Sequence, residues 1–80
     1  MQTNSNTKRA VVWSQDNCVA CMQAKNLLDI KGISYEIKML GENATKQELL
    51  AVVPNARSVP QIFLDGAYVG GLDQLRKVVG

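Results

Sequence analysis

Between Arg9 and Lys31 the apolar pattern changes period once, and that change restricts the fold more than any other feature of the chain. "RAVVW" (residues 9–13) is a short run rich in β-branched residues and reads as a buried strand. "SQDN" (14–17) interrupts it with turn and cap residues. From Val19 to Lys31 the spacing is helical: Ala20, Ala24, Leu27 and Leu28 fall at i, i+4, i+7 and i+8, with Gln23, Lys25, Asn26 and Asp29 mostly on the other side. Lys31 gives the last turn a cation and Gly32 supplies a C′ glycine, so the helix ends there. Both cysteines of the chain, Cys18 and Cys21, sit where the strand pattern gives way to the helix.

The remaining segments extend this unit. "ISYEIKML" (33–40) alternates Ile33, Tyr35, Ile37 and Met39 against Ser34, Glu36 and Lys38, as a strand does. Thr45 and Glu48 have the T-x-x-E spacing of a capping box and precede apolar Leu49, Leu50, Val52 and Val53, in a helix that Pro54 stops. "QIFL" and "AYV" are strand-like runs joined by Asp65-Gly66, a tight-hairpin signal because both central residues of a type I′ turn need positive φ. After Gly70-Gly71, "LDQLRKVV" forms a last short helix with Leu72, Leu75, Val78 and Val79 inward. The order is β-α-β-α-β-β-α. It predicts a four-stranded mixed sheet, parallel where the βα units pair and antiparallel at the hairpin, with helices on both faces. Eighty residues make one domain, expected over 8–80, behind a disordered tail at 1–7 that has nothing to bury.

Charge and composition exclude several functions. A net charge of +2, with no basic run, does not suit nucleic acid as the main partner. No apolar stretch is long enough to span a bilayer. The polar start "MQTNSNTK" lacks the apolar core of a secretory signal, so a cytoplasmic protein is expected. In that reducing compartment a structural disulfide is disfavoured, and a bridge closing so short a loop stabilises little. A self-contained zinc site needs about four ligands, and the chain has no histidine and no third cysteine. A redox dithiol is left as the reading of the pair, supported by its strand-loop-helix context. At a helix N-terminus the unpaired N–H groups and the positive end of the dipole favour an anion, so Cys18 is the expected thiolate nucleophile. Cys21, one turn deeper, is the expected resolving thiol, whose attack at Cys18 releases a mixed-disulfide partner.

"SVPQIFLDGAYVGGLDQL" (58–75), taken with the C-x-x-C, resembles the glutaredoxin family, in which a TVP-type turn and a Gly-Gly-x-Asp segment face the dithiol. The resemblance runs from about Arg9 to Val79. It implies a thioredoxin-like fold, with Pro60 preceded by a cis peptide bond beside the cysteines and the backbone of Val59 turned outward to pair with glutathione. Without that resemblance Pro60 reads as an ordinary strand-start proline. The resemblance also implies that Ser58 belongs to the glutathione-binding turn. Gly70-Gly71 would let backbone approach the ligand, and Leu72 and Asp73 would hold its γ-glutamyl end. Asp73 equally reads as the N-cap of the last helix. Arg57 is the candidate for the glycyl carboxylate, against a solvated loop arginine.

Three positions depart from the family pattern. Val19 and Ala20 stand where many members have Pro-Tyr, Gln15 where a lysine is frequent, and Ser58 where threonine is usual. Gln15 belongs to the glutathione-binding set by position, and without a cation there the Cys18 thiol is expected to be less acidic than in lysine-bearing relatives. Trp13 and Tyr68 read as structural, one closing the first strand and the other decorating the hairpin.

The resemblance implies a monomeric dithiol glutaredoxin with no tightly bound cofactor or metal. It would use glutathione as co-substrate to reduce protein disulfides and glutathione mixed disulfides, with ribonucleotide reductase as one possible client. Its shortness resembles virus-encoded members. Two other readings stay open: a redoxin recharged by thioredoxin reductase, toward which the C-V-A-C centre leans, and an iron–sulfur carrier. In the carrier, Cys18 and a glutathione from each of two subunits would ligate one [2Fe–2S] cluster.

Overall fold

The computed structural model describes residues 8–80, and the tail expected at 1–7 lies outside the described residues. Its strands are β1 (Arg9–Ser14), β2 (Ser34–Met39), β3 (Gln61–Leu64) and β4 (Ala67–Gly70), and its helices α1 (Val19–Ile30), α2 (Lys46–Val52) and α3 (Leu72–Val79). The strands form one sheet in the order β2-β1-β3-β4. β1 pairs parallel with β2 and antiparallel with β3, and β3 pairs antiparallel with β4. This is the expected mixed sheet, with the apolar β1 near its centre.

The two faces of β1 are divided by its alternation. Ala10 and Val12 pack with Ala24 and Leu28 of α1, Ile62 and Leu64 of β3, and Leu75 of α3 in one buried cluster. Val11, Trp13 and Phe63 face the other way, against Ala44, Leu49 and Val53 around α2. Helices therefore cover both faces. Val78, expected inward, is 57% exposed, because only Leu75 and Val79 of the last helical turns reach the core.

Local signals in the sequence act as their chemistry dictates. At the start of α2, Glu48 N–H donates to Thr45 Oγ1 at 3.1 Å and Thr45 N–H to Glu48 Oε1 at 2.8 Å, the reciprocal pair of a capping box. α1 ends with Gly32 at φ +70°. There the N–H of Ile33 reaches Leu28 O at 2.9 Å and that of Gly32 reaches Asp29 O at 3.1 Å, which together form a Schellman cap. The hydroxyl of Tyr35 donates to Asp29 Oδ2 at 3.3 Å and ties α1 to β2. Burial, then the Asp29 carboxylate, holds that phenol above its ordinary pKa of 10.0. Asp65 and Gly66 both take positive φ, 52° and 83°, as the hairpin turn requires.

One boundary moves in a way that matters for the site. Ser14, read from sequence as the first turn residue, is the last residue of β1, paired opposite Met39 and 1% exposed. The carbonyl of Ser14 accepts from Leu40 N–H at 2.9 Å, which extends the ladder one residue further.

Candidate active site

Cys18 is the N-cap of α1. Asn17, at φ 57°, turns the chain out of the strand, and Cys18 then adopts the extended conformation of a cap (φ −119°, ψ 103°). Its carbonyl accepts from Met22 N–H at 3.2 Å, and its sulfur accepts from Cys21 N–H at 3.1 Å. The sulfur thus holds the place that a serine or aspartate oxygen takes in most caps. The first turn of α1 carries no acidic side chain to offset the positive helix end. Cys21 is 1% exposed, whereas Cys18 is half-buried and open to a partner. The two are bridged as a disulfide, with their Cα atoms 5.2 Å apart.

Ser58-Val59-Pro60 lies opposite. The Val59–Pro60 bond is cis, and the Val59 carbonyl oxygen is 3.8 Å from the Cys18 sulfur. Two side chains brace this turn from β3 and β4. Gln61 Nε2 donates to Ser58 O at 2.8 Å, and the Tyr68 hydroxyl donates to Gln61 Oε1. The Tyr68 ring also packs on Phe63, with centroids 5.4 Å apart. Between β3 and β4 the register shifts so that Ile62 opposes Gly70 and Phe63 opposes Tyr68, leaving Val69 as the extra residue of a bulge.

Two grooves meet at this turn. The larger, about 580 Å³, is lined by Ser58, Val59, Pro60, Gly71, Leu72 and Asp73, all expected from sequence, together with Ala20, Gln61, Tyr68 and Gln74. The smaller, about 290 Å³, is walled by Gln15, Arg57 and Lys46 and shares Ser58 and Val59 with the first. The structure therefore brings the expected residues together around Val59 but divides them. Gln15 and Arg57 stand on one side, and the Gly71–Asp73 segment on the other.

Asp73 does not cap α3. Gly71 is the N-cap and has no side chain to cap the first turn, while its own N–H donates to Gln74 Oε1 at 2.9 Å. Asp73 instead lies in the first turn and faces Arg76, with Oδ1 3.5 Å from Nη1 and its side chain 81% exposed. Its carboxylate is largely left to the groove. Gly70 is held at φ +121°, and a Cβ there would come within 3.0 Å of Gln74 Cγ. A Cβ on Gly71 would meet only ordinary contacts, the closest being Gln74 Oε1 at 3.5 Å and Pro60 O at 3.6 Å. The strict need for glycine thus falls at Gly70, which lines the groove beside Gly71.

Sequence reasoning missed Lys46, Gln61, Tyr68 and Gln74 as site residues. Lys46 and Gln74 were visible only as parts of helices. The hydrogen bond between Gln61 and Tyr68 depends on the hairpin register. Tyr68 does decorate the hairpin, 52% exposed, but its hydroxyl also supports the turn. Trp13, 7% exposed against the α2 cluster, is structural as expected.

A C-x-x-C at a strand-to-helix junction, a cis-proline turn facing it and a β2-β1-β3-β4 mixed sheet define a thioredoxin-like redox fold. The glutaredoxin family model matches residues 10–69, and the chain belongs to the glutaredoxin family. It is 36% identical over 64 residues to Glutaredoxin 3 of Escherichia coli strain K12, covering 80% of this chain and 77% of that one. It is 39% identical over 66 residues to the hybrid peroxiredoxin hyPrx5 of Haemophilus influenzae, covering 82% of this chain and 27% of that protein. Among solved structures, the buckwheat glutaredoxin–glutathione complex superposes with a TM-score of 0.73 at 30% identity, over 88% of this chain and 66% of that one. Reduced Escherichia coli glutaredoxin gives 0.73 at 27% identity, over 89% and 92% of the two chains.

Proposed function

We propose that this chain is a glutathione-dependent thiol–disulfide oxidoreductase of a reducing cytoplasm, acting on protein disulfides and glutathione mixed disulfides. The observation that carries the reading is the Cys18 sulfur at the mouth of α1, capped by Cys21 N–H and 3.8 Å from the Val59 carbonyl oxygen, where the two grooves meet. An extended tripeptide thiol fits that geometry. Its backbone lies along Val59. A glycyl carboxylate falls to Arg57, with Lys46 and Gln15 beside it, and a γ-glutamyl end to Leu72, Asp73 and the N-terminus of α3. Arg57 and Lys46 take part in none of the three ion pairs found among the described residues, so both cations are available.

With a glutathione mixed disulfide, the Cys18 thiolate attacks the glutathione sulfur and the client protein leaves as a thiolate. A second glutathione then attacks the Cys18–glutathione disulfide, freeing Cys18 and forming glutathione disulfide. With a protein disulfide, Cys18 forms a mixed disulfide with the client. Cys21 attacks the Cys18 sulfur and releases the client as a dithiol, leaving the Cys18–Cys21 bridge. Two glutathiones supply the two electrons that reopen it.

Turnover of a glutathione mixed disulfide, with glutathione and glutathione reductase as the electron source, tests this reading. Activity in that assay supports it. Turnover only when thioredoxin reductase replaces that couple overturns the glutathione dependence and establishes the other electron donor. A coloured, glutathione-requiring dimer after anaerobic iron and sulfide addition, without turnover, points instead to the cluster carrier.

A further inference from the structure

We propose that Ser14 is a positioning residue for the redox step: its buried hydroxyl pairs with the Cys21 sulfur in the reduced protein and is left without a partner when Cys21 is bridged to Cys18. Ser14 Oγ is buried, and it has no hydrogen-bond partner among the described residues. A buried hydroxyl left in that condition is uncommon and costly. It lies at the end of β1, where the chain turns toward the cysteines.

Its neighbour follows from the register of β1 against α1. Ala10, Val12 and Ser14 alternate onto one face of the strand. The first two pack with Leu28 and Ala24 of α1. β1 and β2 are parallel, so α1 between them runs back against the direction of β1. Two strand residues advance about 6.6 Å and the three residues from Ala24 back to Cys21 about 4.5 Å, so the step from Val12 to Ser14 leads toward the level of Cys21. Ser14 and Cys21 are each 1% exposed. The register therefore places both near one buried level beneath the active-site turn.

The consequence is a bias on the couple, and it rests on the reading that the Cys18–Cys21 pair cycles. Reduction breaks the S–S bond with two electrons and two protons, drawn from two reductant thiols that leave as a disulfide. Cys21 is then a thiol, able both to donate and to accept, and Ser14 offers a complementary hydroxyl. The hydrogen bond forms in the reduced protein only. Ser14 thus stabilises the dithiol relative to the disulfide and makes the couple more oxidising.

The test is the midpoint of the full chain equilibrated in mixtures of reduced and oxidised dithiothreitol. Ser14→Ala should favour the disulfide by about threefold to tenfold, a shift of about 14 to 30 mV toward more negative potential at 29.6 mV per tenfold. Denaturant unfolding of each redox form gives the second readout. The substitution should weaken the reduced protein by that factor and leave the oxidised one unchanged or firmer. Ser14→Thr, which keeps the hydroxyl, should return the midpoint toward that of the unsubstituted chain. An unchanged midpoint in Ser14→Ala, or an equal stability change in both forms, overturns the role. Absence of any reversible midpoint in the unsubstituted chain overturns the cycling reading itself.

Discussion

The N–H of Cys21 donates to the Cys18 sulfur at 3.1 Å, so the first turn of α1 closes on the atom that would attack a substrate. An N-cap serine would use that bond only to satisfy the helix end. A cysteine there also places its sulfur at the positive end of the dipole, where a thiolate is favoured. Helix start and proposed nucleophile are one residue.

Gln15 tests how far that activation depends on the helix alone. It walls the smaller groove with Arg57 and Lys46. Gln15→Lys adds a cation near the thiol, which favours the thiolate and so moves the Cys18 titration to lower pH. Thiolate absorbance followed against pH in the reduced protein should show that downward shift. A midpoint that does not move would mean that the helix end and Val59 set the acidity without help from position 15.

The adjacent glycines should respond in opposite ways. Gly70→Ala forces a Cβ to φ +121° and against Gln74, and should lower stability by about 1 to 3 kcal/mol in chemical denaturation. Gly71→Ala meets only ordinary contacts, so it should cost less than about 1 kcal/mol, mostly through the poorer cap, while its methyl narrows the groove. A raised KM for a glutathione mixed disulfide with near-normal stability is the expected result for Gly71→Ala.

The brace on the Ser58–Pro60 turn makes a third expectation. Tyr68→Phe removes the donor to Gln61 Oε1 and leaves that buried amide half-satisfied. Stability should fall by about 1 kcal/mol, and KM should rise about threefold as the turn loosens, with the Cys18 titration unmoved. Gln61→Leu also releases the Ser58 carbonyl and should do more of both. Equal KM values in all three proteins would show that the turn holds its shape without the brace.

What was legible in the sequence was whatever short-range chemistry decides. Thr45 with Glu48 marked α2, Asp65-Gly66 marked the hairpin, and Cys18 marked a helix start, because each depends on neighbours within a few residues. What depends on register or on competition between partners was not legible. Ser14 reads as a turn residue until the pairing opposite Met39 buries it. Gln61 and Tyr68 become a pair only through the hairpin register and its bulge. Asp73 looked like the cap of α3, yet Gly71 holds the N-cap position with its N–H on Gln74 Oε1, and the Asp73 carboxylate faces Arg76 in the first turn. Val78 kept an apolar identity on a face of α3 turned away from the core that Leu75 and Val79 reach.

In the proposed reaction Cys18 carries glutathione where the two grooves meet. Cys21→Ser removes the proposed resolving thiol, so a Cys18–glutathione adduct formed from glutathione disulfide should persist. Mass spectrometry of that variant, with amide NMR shifts of the adduct, detects it and locates it on the chain. One added glutathione per chain is expected, with shifts concentrated at Val59, Leu72, Asp73 and Arg57. No adduct, or an adduct that leaves those amides unmoved, would contradict the proposed reaction.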